Sequence, residues 1–454
     1  MNTEAVPKDT LQLHSIEVKN FRCFAECKLD LHPRVTVLVA NNGKGKTALL
    51  EAIMLSLESF VFGMAPSKPT QTILARNIHR TLDSDRKMRE CLPTVIRAEA
   101  TVNAVSVSWE RNRTTAKRRL GERVQSVKEL RTAMFLDPDG EEHDQVDLPV
   151  LAYYKATRTA VIDDEEISLV SKFEDSRLKG YDDCFDPLTT FRRFVEWYGG
   201  AYEFLRKKSV LRKSTNLPQL LNTINVAVKH VLQPTEWSSL VWQYNDDPKK
   251  NGILTVEHED GRRLPAGVMS DGVRTTIAIV ADMAYRCCRL NPHFNDLACE
   301  LTQGVVLIDE VDLHLHPGWQ QQIATLLTEA FPKVQFVLTT HSPQVLSTLD
   351  SDSIRVVHVE DGIGDITTPD FQTRGVESTD VLAEIMGIDP VPPVPEAKML
   401  NEYRSLVETR NLDSRAAADL RSALLEHFGP KHPVIKECER LERFFAFKDR
   451  AGKG

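Results

Sequence analysis

Three kinds of hydrophobic pattern follow one another along this chain. A short alternating run at residues 16–18 predicts a strand and leads into the compact stretch NFRCF, Asn20 to Phe24. VTVLVA, at 35–40, is apolar and β-branched throughout, as expected of a strand buried on both faces of a parallel sheet. It ends at the small-residue turn ANNGKGKT, and ALLEAIMLSLESFVF then carries apolar residues at helical spacing. TVIRAEATV and AVSVSWE, spanning 94–110, alternate and predict two antiparallel strands of a side sheet. LPVLAYYKATR, at 148–158, predicts another buried strand running into a polar turn.

From about residue 167 to 232 the period becomes helical. Phe191, Phe194, Val195 and Tyr198 share one face, Ile224 and Val228 another, and Pro218 is placed to open the later helix. Strands return in SSLVWQY and ILTVEHEDGRRL, with a tight turn at Asp260-Gly261. GVVLIDE and VQFVLTTHS are two more buried strands separated by a helix-length segment. The proline-rich VPPVPEAK, at 391–398, precedes three amphipathic stretches near 397–410, 414–428 and 433–447, which predict a small helical appendage. There is no internal repeat.

These patterns predict an α/β fold with a mostly parallel central sheet, an antiparallel side sheet and a helical block inserted between strand-rich halves. The expected divisions are a head formed by 1–165 and 236–370, a helical insertion at 166–235 and an appendage at 371–454. A length of 454 residues accommodates this many units. The net charge of −8 argues against a molecule that holds nucleic acid by its overall field, leaving only local patches such as RNRTTAKRR (111–119) and RKKSVLRKS (206–214). Each patch alone reads as a solvated face. The first residues lack the charged-then-apolar order of a signal peptide, and no apolar run reaches membrane-spanning length, so a cytoplasmic protein with no membrane contact is expected. The cysteines Cys23, Cys27, Cys91, Cys184, Cys287, Cys288, Cys299 and Cys438 include no CxxC pair and are read as reduced.

Strand, glycine-containing turn and helix are the context a phosphate loop requires. In Ala40-Asn41-Asn42-Gly43-Lys44-Gly45-Lys46-Thr47, backbone N–H groups at a helix start suit phosphate oxygens, Lys46 adds a compact cation, and Thr47 offers a hydroxyl to Mg²⁺. Ala40 stands where the pattern opens with glycine, a departure of one methyl. VVLIDE delivers Asp309 and Glu310 to a strand tip, where uncompensated charge is costly unless a metal–phosphate centre shares it. Asp309 is the candidate metal ligand beside Thr47, and Glu310 the candidate general base. His341 ends the following strand within reach of the same centre. GVMSDGVR places Ser270 as a helix cap and Gly272 in the first turn, a second anion-binding helix start. A chain with one phosphate loop and two such starts suggests that the second serves the nucleotide of another subunit.

Taken in order, these pieces resemble the ABC-type P-loop ATPase head, and most closely its RecF/SMC-like branch. There NFRCF stands before the loop, MSDGVR at the signature, LIDEVDLHLHP at the metal-binding strand and D-loop, and LTTHSP at the switch histidine. The resemblance covers residues 11 to about 350. It implies ATP and Mg²⁺ as ligands, with Asn42, Gly43, Lys44, Gly45, Lys46, Thr47, Asp309, Glu310 and His341 acting in cis. Ser270, Gly272 and Asp312 would act across a head-to-head dimer that sandwiches two ATP. The branch's lobe-switch glutamine has no secure match; Gln71 and the turn Lys155 to Arg158 are its candidates.

The insertion is too short for the long coiled coils of condensin-like members. Nothing after Asp350 and Asp352 alternates strand and helix as the Toprim domain of an overcoming-lysogenization-defect nuclease would, so DSDS reads as a solvated turn. The segments RLKGYDDCFDPLTTFRRFVEWYGGAYEF and TRGVESTDVLAEIMGIDPVP resemble the PtuA ATPases of Septu antiphage systems and their retron-associated cousins. That resemblance implies a companion HNH nuclease of the PtuB kind, a PtuA dimer built into a larger oligomer, and nucleotide control of the nuclease. The alternatives are a stand-alone RecF-like DNA-repair ATPase and the ATPase of an overcoming-lysogenization-defect nuclease.

Overall fold

In the computed structural model, the described residues are 10–64, 72–115, 146–156, 169, 176–208, 217–245, 252–409, 411–412 and 414–451. They fall into two compact units, Met1–Val381 and Leu382–Gly454.

The first unit is organised by one ten-stranded sheet. Its strands are β1 (Gln12–Phe21), β2 (Phe24–Asp30), β3 (Val35–Val39), β6 (Thr94–Val102), β7 (Val105–Arg113), β8 (Val150–Tyr154), β12 (Gly304–Ile308), β13 (Val334–Thr339), β14 (Ile354–Glu360) and β15 (Ile363–Thr367). The order is β7-β6-β1-β2-β15-β14-β3-β13-β12-β8. From β14 to β8 every neighbouring pair is parallel. In β3, β8, β12 and β13 every residue is buried, which is why these strands carry no polar alternation.

The strands of the expected side sheet, β6 and β7, are antiparallel as their alternation predicts. They continue the main sheet through β1 and β2, because β2 pairs in parallel with β15. A hairpin of β4 (Arg80–Leu82) and β5 (Met88–Glu90) and a three-stranded antiparallel sheet of β9 (Trp237–Gln243), β10 (Ile253–His258) and β11 (Arg263–Pro265) stand apart from it.

Helix α1 (Lys46–Met64) leaves β3 through the loop at 40–45, and Ala48, Leu49, Leu50, Ala52 and Ile53 of its early turns are buried. The helical block contains α2 (Pro187–Lys208) and α3 (Leu217–Val231). Phe194, Val195 and Tyr198 are buried on α2, and Ile224 and Val228 on α3, as the spacing requires. Pro218 sits in the first turn of α3, where its missing N–H costs nothing. Helix α4 (Asp271–Leu290) carries the signature segment.

A fully buried ion pair ties this helix to the rest. Arg286 Nε donates to Asp282 Oδ2 at 2.7 Å, and Tyr154 Oη, at the tip of β8, donates to the same oxygen at 2.6 Å. Arg286 also donates to the carbonyls of Gly180 and Asp182, at the start of the helical block. Arg111, counted with a basic patch in the sequence reading, is instead only 1% exposed. Its guanidinium donates to the Leu55 carbonyl and faces Glu58 at 3.4 Å on the body of α1, so it is a structural residue. Residues 116–119 of that patch and 209–214 of the other lie outside the described residues.

The second unit contains α5 (Pro395–Glu408), α6 (Arg415–Phe428) and α7 (Pro433–Ala451), the three helices that the amphipathic stretches predict. Tyr403, Val407, Leu424, Ile435 and Cys438 form its core, and Tyr403 Oη donates to Glu442 at 2.7 Å.

Candidate nucleotide site

The parallel register builds the site. In the order β3-β13-β12, the loop after β3, the segment after β13 and the carboxylates after β12 emerge side by side at one edge of the sheet. Gly43 and Gly45 have φ of +76° and +93°, values that side-chain-bearing residues avoid. At Gly45 a Cβ would also lie 2.8 Å from Cys23 Sγ and from Phe24 Cε2. The NFRCF turn therefore packs against the back of the phosphate loop, held in place by an ion pair of Arg22 with Glu51 on α1. Asn42, Gly43 and Lys44 are exposed, and the first N–H groups of α1 have no intrahelical acceptors.

Lys46 is 8% exposed and its Nζ donates to the Ala40 carbonyl at 2.7 Å, closing the loop on itself. Burial pushes its pKa below the usual lysine value, against the opposing pull of Asp309, Glu310 and Asp312. The position that departs from glycine, Ala40, thus contributes a backbone carbonyl, and its side chain is buried.

Thr47 Oγ1 lies 3.1 Å from Asp309 Oδ2, although the two residues are 262 positions apart in sequence. Asp309 is 4% exposed. Its other oxygen, Oδ1, accepts from Thr339 Oγ1 at 2.6 Å, and the same hydroxyl accepts from the Glu310 N–H at 2.7 Å. Glu310 adopts φ of +50°, so the chain turns sharply as soon as β12 ends. Asp312, expected at a dimer contact, is engaged within its own chain, accepting from Thr340 Oγ1 at 2.5 Å. His341 follows that threonine, between the loop strand and the carboxylate strand.

The chemistry of this donor set fits a nucleotide with a divalent cation. A hydroxyl and a carboxylate converge, a buried ammonium and a helix start face the same edge, and the oxygen donors suit Mg²⁺.

The signature segment is positioned differently from its simplest sequence reading. Ser270 occupies the N-cap position of α4, and its carbonyl accepts from the Arg274 N–H at 2.9 Å, but its side chain makes no capping bond. Its exposed side chain therefore does not serve α4 as a cap. Gly272 is buried against the D-loop, where a Cβ would overlap the His314 carbonyl oxygen. Asp271 pairs with Arg274 at 2.5 Å. Gln71 and Arg158 lie outside the described residues, whereas Lys155 follows β8 directly, beside the β12 tip, where the Asp309 N–H donates to the Tyr154 carbonyl at 2.8 Å.

With this geometry in place, the family model described as "AAA domain, putative AbiEii toxin, Type IV TA system" matches residues 35–347. The chain belongs to this family. It is accordingly an ATPase of the AAA-domain kind, and the match runs from the strand before the phosphate loop to just beyond His341. The "Retron Vc95 probable ATPase" of Vibrio cholerae serotype O1 biovar El Tor is 25% identical over 463 aligned residues, covering 92% of this chain and 88% of that protein. The Septu protein PtuA of Bacillus mycoides strain KBAB4 is 39% identical over 89 residues, 20% of this chain and 12% of that protein. Among solved structures, the Pyrococcus furiosus Smc head domain bound to the C-terminal domain of ScpA aligns with 79% of this chain and 96% of that one, at 14% identity and a TM-score of 0.46.

Among the described residues no helix is long and apolar enough to cross a membrane, and no group of three His, Cys, Asp or Glu side chains is arranged to hold a metal ion.

Proposed function

We propose that this chain binds and hydrolyses ATP with Mg²⁺ as the regulatory subunit of an antiphage defence complex, closing as a head-to-head dimer on two nucleotides and controlling a partner HNH nuclease. The observation that carries the ATPase centre is the contact between Thr47 and Asp309, which joins the phosphate loop to the carboxylate strand. Lys46 and the N–H groups at 42–47 would hold the β- and γ-phosphates. Thr47 and Asp309 would hold Mg²⁺, which when bound neutralises charge on the phosphate oxygens. Glu310 would take the proton of the attacking water, and His341 would orient the terminal phosphate. Ser270, exposed and without a capping bond, and Gly272 would complete the partner copy's site.

The similarity to a retron ATPase along nearly the whole chain, and to PtuA over a shorter stretch, supports the defence setting. On this reading the head comprises 1–165 and 236–370, the insertion 166–235 and the appendage 371–454, and the complex works in the cytoplasm. DNA would be engaged by the assembled complex.

Two measurements test the proposal. Lys46→Ala should lose nucleotide binding, while Glu310→Gln should keep it and lose turnover by about 100-fold or more. Undiminished turnover by Glu310→Gln removes it as the base. Co-expression with a PtuB-like HNH nuclease should yield a complex on purification. Failure of the two to copurify, or protection of cells from phage by this chain alone, refutes the regulatory role.

A further inference from the structure

Two adjacent threonines at the end of β13 have no role in the site described so far. Thr339 and Thr340 are both completely buried, and each hydroxyl makes two hydrogen bonds. Thr339 Oγ1 donates to Asp309 Oδ1 and accepts the Glu310 N–H. Thr340 Oγ1 donates to Asp312 Oδ1 and accepts the Ser342 N–H at 2.9 Å. One short segment, immediately before His341, therefore fixes the carboxylates of both Asp309 and Asp312.

The Thr339 contact has a direct chemical consequence. An aspartate side chain can present either oxygen, and a hydroxyl bonded to Oδ1 leaves Oδ2 to face Thr47. The same hydroxyl also holds the backbone of Glu310 in its left-handed turn, at φ of +50°, a conformation that is unfavourable without support.

We propose that Thr339 is a positioning residue that orients the Asp309 carboxylate toward the metal and holds the turn that aims Glu310. This inference rests on the ATPase reading of the site. The role requires a hydroxyl: valine has the same shape, cannot make either bond, and leaves the Glu310 N–H and one Asp309 oxygen without this partner. Outer-sphere partners of this kind commonly alter metal affinity by about 10- to 100-fold.

The test is Mn²⁺ binding to the full chain in the presence of ATP, followed by the paramagnetic resonance of free Mn²⁺, with ATP affinity measured separately in EDTA. Thr339→Val should weaken Mn²⁺ binding by at least about 10-fold and leave metal-free ATP affinity within about 2-fold, and Thr339→Ser should restore most of the loss. Thr340→Val, which removes a hydroxyl bonded to Asp312 and not to Asp309, should leave Mn²⁺ affinity close to wild type. Unchanged Mn²⁺ affinity in Thr339→Val overturns the proposal. So does a Thr339→Ser variant as weak as the valine, or a Thr340→Val variant with an equal loss, since packing alone then explains the effect. A wild-type chain that binds no Mn²⁺ with ATP overturns the ATPase reading itself, and this inference falls with it.

Discussion

Replacing Gly45 with alanine tests how the phosphate loop is built, and Gly43→Ala supplies the comparison. Both glycines have positive φ, and placing alanine there costs about 1–2 kcal/mol at either position. Only Gly45 has a neighbour in the way. A Cβ at Gly43 meets nothing within 4 Å, whereas at Gly45 it would press on Cys23 Sγ and on the ring of Phe24, which is fully buried. Overpacking of that kind costs roughly another 1–3 kcal/mol, so Gly45→Ala should exceed Gly43→Ala by about that amount, or roughly 5- to 150-fold in the population of the competent loop. Binding of a fluorescent ATP analogue reads this difference directly, and thermal unfolding shows whether it is local. Phe24→Leu in the Gly45→Ala background should recover part of the loss, because residues in contact are non-additive by about 0.5–3 kcal/mol. If the two alanine variants bind alike, or Phe24→Leu makes the double variant worse by its full single cost, the NFRCF turn does not buttress the loop.

Further outcomes follow from buried charge. Burial lowers the Lys46 pKa in the folded chain, so the native state carries a costly ammonium at neutral pH, and this penalty fades as pH rises through the folded value toward the unfolded one. Lys46→Met should therefore make the nucleotide-free chain more stable at pH 7 in denaturant titrations, by a margin that shrinks at alkaline pH; a margin that grows there contradicts the assignment. Arg286→Met should cost about 3–5 kcal/mol, because it leaves Asp282 buried without its cation. Burial raises the Asp282 pKa, so this loss should ease as pH falls and the carboxyl takes up a proton. Tyr154→Phe, which removes one hydrogen bond to the same carboxylate, should cost about 1–2 kcal/mol in the same titrations.

The central strands were legible because burial on both faces leaves no alternation: VTVLV, GVVLI and VQFVLT could hardly be anything else. The candidate site residues stood out for a related reason, since carboxylates and a histidine at the tips of buried strands call for a partner. Less was visible where function depends on what a side chain touches across the fold. Arg111 sits in a basic-looking run, yet its position on β7 directs it onto α1, and no local pattern marks that. β14 and β15 escape the periodicity reading because IRVVHVE is broken by charge and IGDIT is exposed at alternate positions. The threonine pair of LTTHSP was in plain view beside His341, but a strand-end threonine is unremarkable until Asp309 and Asp312 are seen to bond to it. Ser270 shows the reverse: its sequence context suggests a cap, while its side chain makes no capping bond and its carbonyl only the ordinary first bond of the helix.

The proposed head-to-head dimer requires that each nucleotide site be completed by a second copy of the chain. Mixing two inactive variants tests it most directly. Lys46→Ala disables the cis half and Ser270→Arg the half presented to the partner. Each alone should be inactive, and an equimolar mixture should recover up to about one quarter of wild-type ATP hydrolysis, because half of the dimers would then contain one intact site of two. No recovery from a mixture shown to form mixed dimers, or full activity of Ser270→Arg alone, would contradict the claim.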